Sequence, residues 1–357
     1  MFSSDVKNVK NIDSEIDSEV DVISLSPNEI NTEINTEMNL KLNSGKSVLK
    51  PNQLLSPQEL SALNVKSNVK GTFQLLGHLT VMVGSGYLWG TNMGNLSDRW
   101  FIAIPALVLY GFSFAIMFAP LHESSHRTVF TNNRANDVLC WFAGLLSFYN
   151  STFYRLYHKW HHRYTQILDK DPELSDRKPT NLKEYIIEIS GITWWIGKFK
   201  RHFLTAIGNF ENCPFIPENS YAEVIRSTRL QLLVYVVAIA ISVYFQQPWF
   251  ITYWMLPLAV GQPILRFLLL AEHTDRPNTD NMLANTRTTL TLAPLRFLIW
   301  NISYHAEHHL YASIPFHQLG AAHAKLGSHF ECVEKGYFNV HRQIIANFGE
   351  KTGNSAA

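Results

Sequence analysis

Cysteine is scarce in this 357-residue chain, and charge of neither sign dominates it. The three cysteines, Cys140, Cys213 and Cys332, lie far apart and form no CxxC pair. The sequence therefore encodes neither a disulfide framework nor a thiolate metal site. Thirty basic residues against 29 acidic ones leave a net charge of +1, which provides no field for holding nucleic acid. We expect no nucleic-acid partner.

The first 50 residues lack aromatic side chains after Phe2. They hold nine acidic and five basic residues, a net charge of −4, which leaves +5 on residues 51–357. Polar repeats such as IDSEIDSEV cannot bury enough apolar surface to fold, and the apolar core of a secretory signal is missing. We expect a disordered polar tail over residues 1–60, a membrane domain over 61–345 and a flexible C-terminal tail over 346–357.

Long apolar runs are abundant in the rest of the chain. Four of them, at about 73–89, 100–120, 230–245 and 249–271, are long enough to be considered as bilayer spans. Short connections at 90–99 and 246–248 predict two tight helical hairpins. The alternative is a set of buried helices in a large soluble protein, which rarely contains apolar runs of this length.

Basic residues indicate the orientation of these spans, because Lys and Arg near span ends stay in the cytoplasm. Only Arg99 lies in the short turns, so we expect segments 121–228 and 272–357 and both termini to be cytoplasmic. Apolar runs at 138–149, 185–196 and 292–302 are too short to cross a bilayer and suit interfacial or cap helices. The predicted fold is an all-α integral membrane protein, with four transmembrane helices in two hairpins under a cytosolic helical cap that holds a di-metal site. The basic residues flanking the open hairpin ends are Lys66, Lys70, Arg127, Arg134, Arg226, Arg229 and Arg276.

Histidine is the most informative residue type, because eight of the 15 histidines fall into three compact boxes, HESSH, HKWHH and HAEHH. At this frequency an HxxHH triplet is expected by chance about 0.03 times in such a chain. Residues at i, i+3 and i+4 share one helical face, so each box can direct two or three imidazoles at one point. The box histidines are His122, His126, His158, His161, His162, His305, His308 and His309.

These imidazoles predict two metal ions, because eight ligands exceed what one ion can use. Neutral imidazole suits iron, copper, nickel and zinc. The boxes follow predicted spans and should meet at one membrane face, where His273, just past the fourth span, is the candidate ninth ligand. Isolated histidines such as His78, His202 and His341 are expected to be structural.

Other polar residues near the boxes are candidates for supporting roles. Asp169 and Asp171 follow the second box and could accept hydrogen bonds from ligating histidines. Asn285, Thr286 and Arg287 precede the third box and could contact a substrate head group or orient ligands. Solvated loop residues are the alternative interpretation for both sets.

Three boxes of the form HxxxH, HxxHH and HxxHH around two apolar hairpins resemble the membrane fatty acid desaturase superfamily over residues 65–345. The run AEHTDRPNTDNMLANTRTT, followed by YHAEHHLYASIPFH, is similar to the bacterial branch that includes dihydrorhizobitoxine desaturases. The resemblance implies two iron ions (Fe2+/Fe3+), O2 as co-substrate, two electrons from a redox partner and desaturation of a fatty acyl or related lipid or small-molecule chain by C–H abstraction. Iron fits such chemistry because it changes oxidation state, which zinc does not.

The sequence also departs from parts of that superfamily and leaves alternatives open. The HPGG haem motif of a fused cytochrome b5 is missing, so we expect a separate electron donor of the ferredoxin or cytochrome b5 type. Leu269 stands where acyl-CoA desaturases place an asparagine. A hydroxylase or ketolase could use the same di-iron scaffold. HESSH also matches HExxH, in which Glu123 would be the general base of a membrane zinc metalloprotease, and a non-catalytic metal-binding or transport protein is a further alternative.

Overall fold

A computed structural model describes residues 54–175 and 178–348, which are mostly helical. The predicted tails therefore lie largely outside the described residues. Helix α1, Pro57–Leu63, begins within the range predicted as N-terminal tail, where Pro57 occupies the first turn and Ser56 and Glu59 form a capping box. The other α-helices are α2 Asn68–Asn92, α3 Leu96–Ala115, α4 Phe118–Ser125, α5 Asn133–Ser147, α6 Ser151–Tyr164, α7 Leu182–Ser190, α8 Ile192–Ala206, α9 Tyr221–Tyr244, α10 Leu256–His273, α11 Ala293–Leu298, α12 His305–Leu310, α13 Leu319–Leu326 and α14 Tyr337–Ala346.

Three helical segments among the described residues are long and apolar enough to cross a membrane: Asn68–Ser125, Glu218–Tyr244 and Ile251–His273. The first contains α2, α3 and α4. Large apolar side chains on α2, α3 and α9 are exposed, as expected for surfaces that face lipid rather than water. Phe73, Trp100 and Val236 are examples.

Helices α2, α3 and α10 form the centre of the apolar core. The Nε2 of His78 on α2 lies 2.7 Å from the carbonyl oxygen of Ser113 on α3. A Cβ on Gly261 of α10 would collide with the backbone carbonyl of Gly111 on α3, so these two helices meet backbone to backbone, as small residues permit in membrane helices. This contact holds the first half of α10 against the C-terminal part of α3.

The described residues are mostly helical, as the predicted fold class requires, but they also contain two short strands. Strands β1, Thr288–Leu290, and β2, Val333–Lys335, pair in parallel. Thr288 and Thr289 are β-branched and buried, which suits a strand, but three residues are too few for an alternating pattern to be recognised. Strand β1 connects the end of α10 to α11 and the third histidine box.

The shorter predicted helices differ from the observed ones where the backbone turns. The run 185–196 is divided between α7 and α8 at Gly191, whose φ of 75° is readily adopted only without a side chain. The run 292–302 is helical only over α11 and then turns through Trp300 and Asn301, both with positive φ. Likewise, the second predicted span extends to residue 120, whereas α3 ends at Ala115 and α4 starts anew at Phe118.

Candidate metal centre

Each histidine box lies on its own helix, and the three helices bring their imidazoles together in the interior. Box one lies on α4 and its C-cap, box two on α6, and box three on the six-residue α12. His273 is the last residue of α10. Helix α6 begins at Ser151 because the Asn150 side chain accepts a hydrogen bond from the Phe153 amide at 2.9 Å. The start of box two is thus fixed by a local cap.

Five of the predicted ligands form one group, which we call cluster A. Their nearest ring nitrogens lie within 4.8 Å of one another. The Nε2 of His308 lies 2.7 Å from that of His122 and 3.1 Å from that of His162. The Nε2 atoms of His162 and His158 are 3.0 Å apart. Cluster A consists of His122, His126, His158, His162 and His308.

The other four predicted ligands form cluster B, which consists of His161, His273, His305 and His309. Ring nitrogens of His161, His273 and His309 also lie within 4.8 Å of one another. His305 completes the cluster, because its Nε2 lies 3.1 Å from that of His273 and 3.0 Å from that of His309. The clusters adjoin, since the rings of His162 and His309 stack with centroids 4.2 Å apart.

In three of the four cluster B rings, the Nδ1 atom has a hydrogen-bond partner that fixes the orientation of the ring. The Nδ1 of His161 lies 2.8 Å from the Asp171 carboxylate, and that of His273 lies 3.3 Å from the Asn285 carbonyl. The Nδ1 of His309 lies 3.1 Å from the Thr165 hydroxyl oxygen, whose hydrogen is directed to the His161 carbonyl. A carboxylate and a carbonyl can only accept, so these contacts assign the ring hydrogen to Nδ1 and leave Nε2 as a lone pair.

The resulting arrangement suits metal ions. In cluster B the Nε2 atoms of His273 and His309 lie 3.1 and 3.0 Å from the Nε2 of His305. One ring hydrogen on His305 can be donated fully to only one of them, whereas a cation between the rings can bind all three nitrogens. Two nitrogens that bind one ion at about 2.1 Å and at right angles are about 3 Å apart. The observed separations match this value. The donor set in both clusters is imidazole, which suits iron, copper, nickel or zinc.

Burial keeps most of these imidazoles uncharged. It holds the pKa of five of them well below the usual value, and the neighbouring imidazoles add to the effect. Burial also lowers the pKa of His126 to about 4. Neutral imidazole is the form that binds metal. The five are His158, His162, His305, His308 and His309.

His161 differs because it faces acidic groups. Burial opposes its charge, but Glu173 and Asp171 outweigh that effect and raise its pKa above the usual value. Asp171 is itself buried, yet hydrogen bonds from His161 and from the amides of Gln166 and Glu173 hold the pKa of its carboxyl below the usual value. The predicted supporting role of Asp171 thus corresponds to an observed contact.

The remaining supporting candidates have different surroundings. Asp169 is exposed in a turn with φ of 62°, and the described contacts do not join it to a box histidine. Arg287 is buried and donates from its side chain to the carbonyls of Ala271 and Thr274, while its amide donates to the Glu272 carbonyl. It therefore holds the end of α10, where a cation complements the helix dipole. Asn285 accepts from Thr286 and donates from its amide to Thr165.

Two of the isolated histidines, His78 and His341, have structural partners at both ring nitrogens. His78 contacts the Ser113 carbonyl through Nε2 and accepts from the Trp300 indole at 3.0 Å through Nδ1. His341 contacts the Tyr185 hydroxyl and the Phe267 carbonyl. These contacts satisfy both ring nitrogens of each residue, which agrees with the expected structural role.

Two further acidic residues beside the clusters were not predicted from the sequence. Glu272 places Oε2 3.3 Å from the Nε2 of His305. The Glu307 carboxylate contacts the Thr288 hydroxyl and the His323 ring, both at 2.5 Å. Each of them lies next to a histidine predicted to bind metal, and this was the only sign of them that we find in the sequence. Spacing alone does not show which acidic side chains turn inward.

The side chain of Glu123, the second residue of HESSH, is held by hydrogen bonds within the protein. One oxygen accepts from the Thr128 hydroxyl at 2.6 Å and from the Phe316 amide at 2.8 Å. The carboxylate thereby links α4 to the segment that follows box three. These contacts give the carboxylate a structural role that does not depend on a bound metal.

Comparisons with known proteins agree with this geometry. The family model for fatty acid desaturase matches residues 98–338, which include all nine cluster histidines. The sn-1 oleoyl-lipid 12-desaturase of Picosynechococcus sp. is 25% identical over 250 residues, which cover 64% of this chain and 70% of that protein.

Two other relatives are eukaryotic. The Delta(5) fatty acid desaturase fat-4 of Caenorhabditis elegans is 24% identical over 247 residues, 60% of this chain and 55% of its own length. The sphingolipid delta(4)-desaturase DES1-like of Arabidopsis thaliana is 26% identical over 223 residues, 61% of each chain. This chain therefore matches less than two thirds of the length of both eukaryotic relatives.

Proposed function

This chain belongs to the fatty acid desaturase family, and we propose that it is an oxygen-dependent membrane enzyme with two iron ions that introduces a double bond into an aliphatic chain. It is a desaturase-like oxidoreductase. The proposal adds the metal, the oxidant and the class of substrate. We expect a fatty acyl chain or a related lipid or small molecule.

The convergence of nine histidines into clusters A and B carries this proposal. Each cluster offers enough imidazole nitrogens for one ion. Iron bound there would supply the oxidising power needed to break unactivated C–H bonds with dioxygen. The chain's own part is to hold neutral imidazoles in fixed orientations and to keep bulk water out of a buried site.

The overall reaction balances with one external reductant. Two hydrogen atoms leave adjacent carbons, and one dioxygen is reduced to two waters by four electrons. Two of these electrons come from the two C–H bonds, and two come from a separate iron–sulfur or haem protein of the ferredoxin or cytochrome b5 type. Two protons from solvent complete the waters.

The membrane arrangement that we propose has four spans in two hairpins, α2 with α3 and α9 with α10. Both hairpins would open toward the cytoplasm, where the clusters lie between the membrane and a helical cap. The basic residues at the open ends and the lone Arg99 in the short turns support this orientation. Exposed apolar side chains on α7 and α8, including Ile186, Ile196 and Phe203, suit helices that lie in the interface.

The names of the relatives support a lipid substrate, since all three are called lipid or fatty acid desaturases. A hydroxylase or ketolase on the same scaffold would share the first hydrogen abstraction and diverge afterwards. Similarity to the dihydrorhizobitoxine desaturase branch extends the candidates to amino-acid-derived small molecules. The central proposal is desaturation.

Metal analysis of the purified protein tests the proposal against its rival. A desaturase should bind two irons per chain. A zinc protease acting through HESSH should bind one zinc and would leave the other boxes without a role. Convergence of all three boxes favours the desaturase. Binding of one zinc and no iron would refute the proposal that this chain is a di-iron desaturase.

A further inference from the structure

Glu272 directs a carboxylate into cluster B. It lies next to His273 in the last turn of α10 and is 8% exposed. Its Oε2 lies 3.3 Å from the Nε2 of His305, the same atom that contacts the Nε2 atoms of His273 and His309 at 3.1 and 3.0 Å. One carboxylate oxygen and two imidazole nitrogens, from three different side chains, therefore lie within 3.3 Å of the Nε2 of His305.

The other oxygen of Glu272 has no hydrogen-bond partner among the described residues. Oε1 is buried and unpaired, although a buried carboxylate oxygen normally accepts one or more hydrogen bonds. The backbone carbonyl of the same residue accepts from the Arg287 amide at 2.9 Å, so the helix end is well held. The unpaired atom belongs to a side chain whose backbone is held in place, and a carboxylate with a free oxygen beside imidazole nitrogens suits binding of a cation.

Three other buried acidic side chains near the clusters have hydrogen-bond partners. Glu123 accepts from Thr128 and from a backbone amide. Glu307 contacts Thr288 and His323 with different oxygens, and Asp171 contacts His161 and the Gln166 amide. Glu272 differs from all three acids. One of its oxygens faces a metal-binding nitrogen, and the other has no hydrogen-bond partner among the described residues.

We propose that Glu272 is a carboxylate ligand of the metal ion in cluster B. This inference rests on the proposed function, which requires an ion in each cluster. The two sites then differ in kind: cluster A offers only imidazole nitrogen, whereas cluster B combines imidazole with an anionic oxygen. Ferrous iron accepts such a mixed set. The negative ligand stabilises the more oxidised state of the ion in cluster B relative to that in cluster A.

A simpler role for Glu272 would be an ion pair with a protonated His305 and no metal contact. The two roles predict different behaviour on substitution. A metal ligand affects the ion of cluster B, whereas an ion-pair partner affects only the position of one ring. Glu272→Gln removes the charge and keeps the size of the side chain. Glu123→Gln is the matched control, because it alters a buried acid next to a ligand of cluster A that already has partners.

The experiment is Mössbauer spectroscopy of full-length protein purified in detergent and loaded anaerobically with 57Fe2+, together with the iron-to-protein ratio and release of iron to a chelator. We expect two distinct ferrous signals of equal area in the unaltered protein and in Glu123→Gln. Glu272→Gln should shift or lose one signal and release one iron per chain at least about tenfold more readily. The remaining signal reports that the variant is folded.

Glu272→Asp keeps the charge and provides a second variant should Glu272→Gln prove unstable. It should retain two irons and change the same signal. The inference is overturned if Glu272→Gln binds two irons and matches the unaltered protein in its Mössbauer spectrum and its rate of iron release. That result would leave the proposed function intact. Failure of the unaltered protein to bind two irons would overturn both.

Discussion

The Nδ1 of His161 lies 2.8 Å from the carboxylate of Asp171, and both side chains are almost fully buried. The carboxylate accepts the ring hydrogen and directs the opposite nitrogen toward cluster B. It also accepts from the Gln166 amide at 2.7 Å, which fixes the carboxylate itself. Contacts of this kind orient a ligand and increase its basicity.

Replacing Asp171 with Asn should therefore weaken metal binding at cluster B by about 10- to 100-fold, as is typical when the hydrogen-bond partner of a ligating histidine is lost. Iron retained during titration with a chelator measures the effect. Asp169→Asn is the control, because Asp169 is exposed two residues earlier and Asn tolerates its positive φ. Equal iron retention in both variants would contradict the assigned role.

His273→Ala should lower bound iron and abolish turnover while the protein still inserts into membranes. The reason is that His273 places Nε2 3.1 Å from that of His305 inside cluster B, although it belongs to none of the boxes. Removing a ligand should cost more than the roughly 10- to 100-fold typical of its hydrogen-bond partners. His329 is exposed, and His329→Ala should keep most activity. Normal iron content in His273→Ala would show that the ninth ligand is another residue.

Spacing predicted that the histidines converge, but not how they divide. In box two, His158 and His162 are four residues apart and join cluster A, whereas His161 joins cluster B. In box three the pair His305 and His309 joins cluster B, whereas His308 joins cluster A. Pairs at i and i+4 share a helical face, so each pair was foreseeable as a unit. Which pair serves which ion depends on how α6 and α12 pack, and local sequence does not encode that.

Gly261→Ala should destabilise the protein, because its new methyl group would collide with the Gly111 carbonyl at the contact between α3 and α10. Overpacking of this kind typically costs about 1–3 kcal/mol. The midpoint of thermal unfolding in detergent measures it. Gly84→Ala is the matched control in a helix, since a Cβ there meets no atom within 4 Å, and it should be neutral or slightly stabilising. Equal midpoints would refute the backbone contact.

Cysteine labelling tests the proposed orientation, and the native cysteines do not interfere because all three are buried. Gly94→Cys and Gln247→Cys place thiols at exposed positions in the two short turns. A membrane-impermeant reagent added to intact cells should label both. Ala324→Cys, exposed on α13, should react only after the cells are opened. The reverse pattern would show that the clusters face away from the cytoplasm.

Mass spectrometry of lipids and small metabolites, in a host with and without this protein, tests the central claim most directly. A third sample with His273→Ala, which removes one ligand of cluster B, serves as the inactive control. Desaturation predicts a product that has lost two hydrogen atoms and appears only with the intact protein, oxygen and a reductant. A product that has gained one oxygen atom instead, or identical profiles in all three samples, would contradict the assignment of this chain as a desaturase of aliphatic chains.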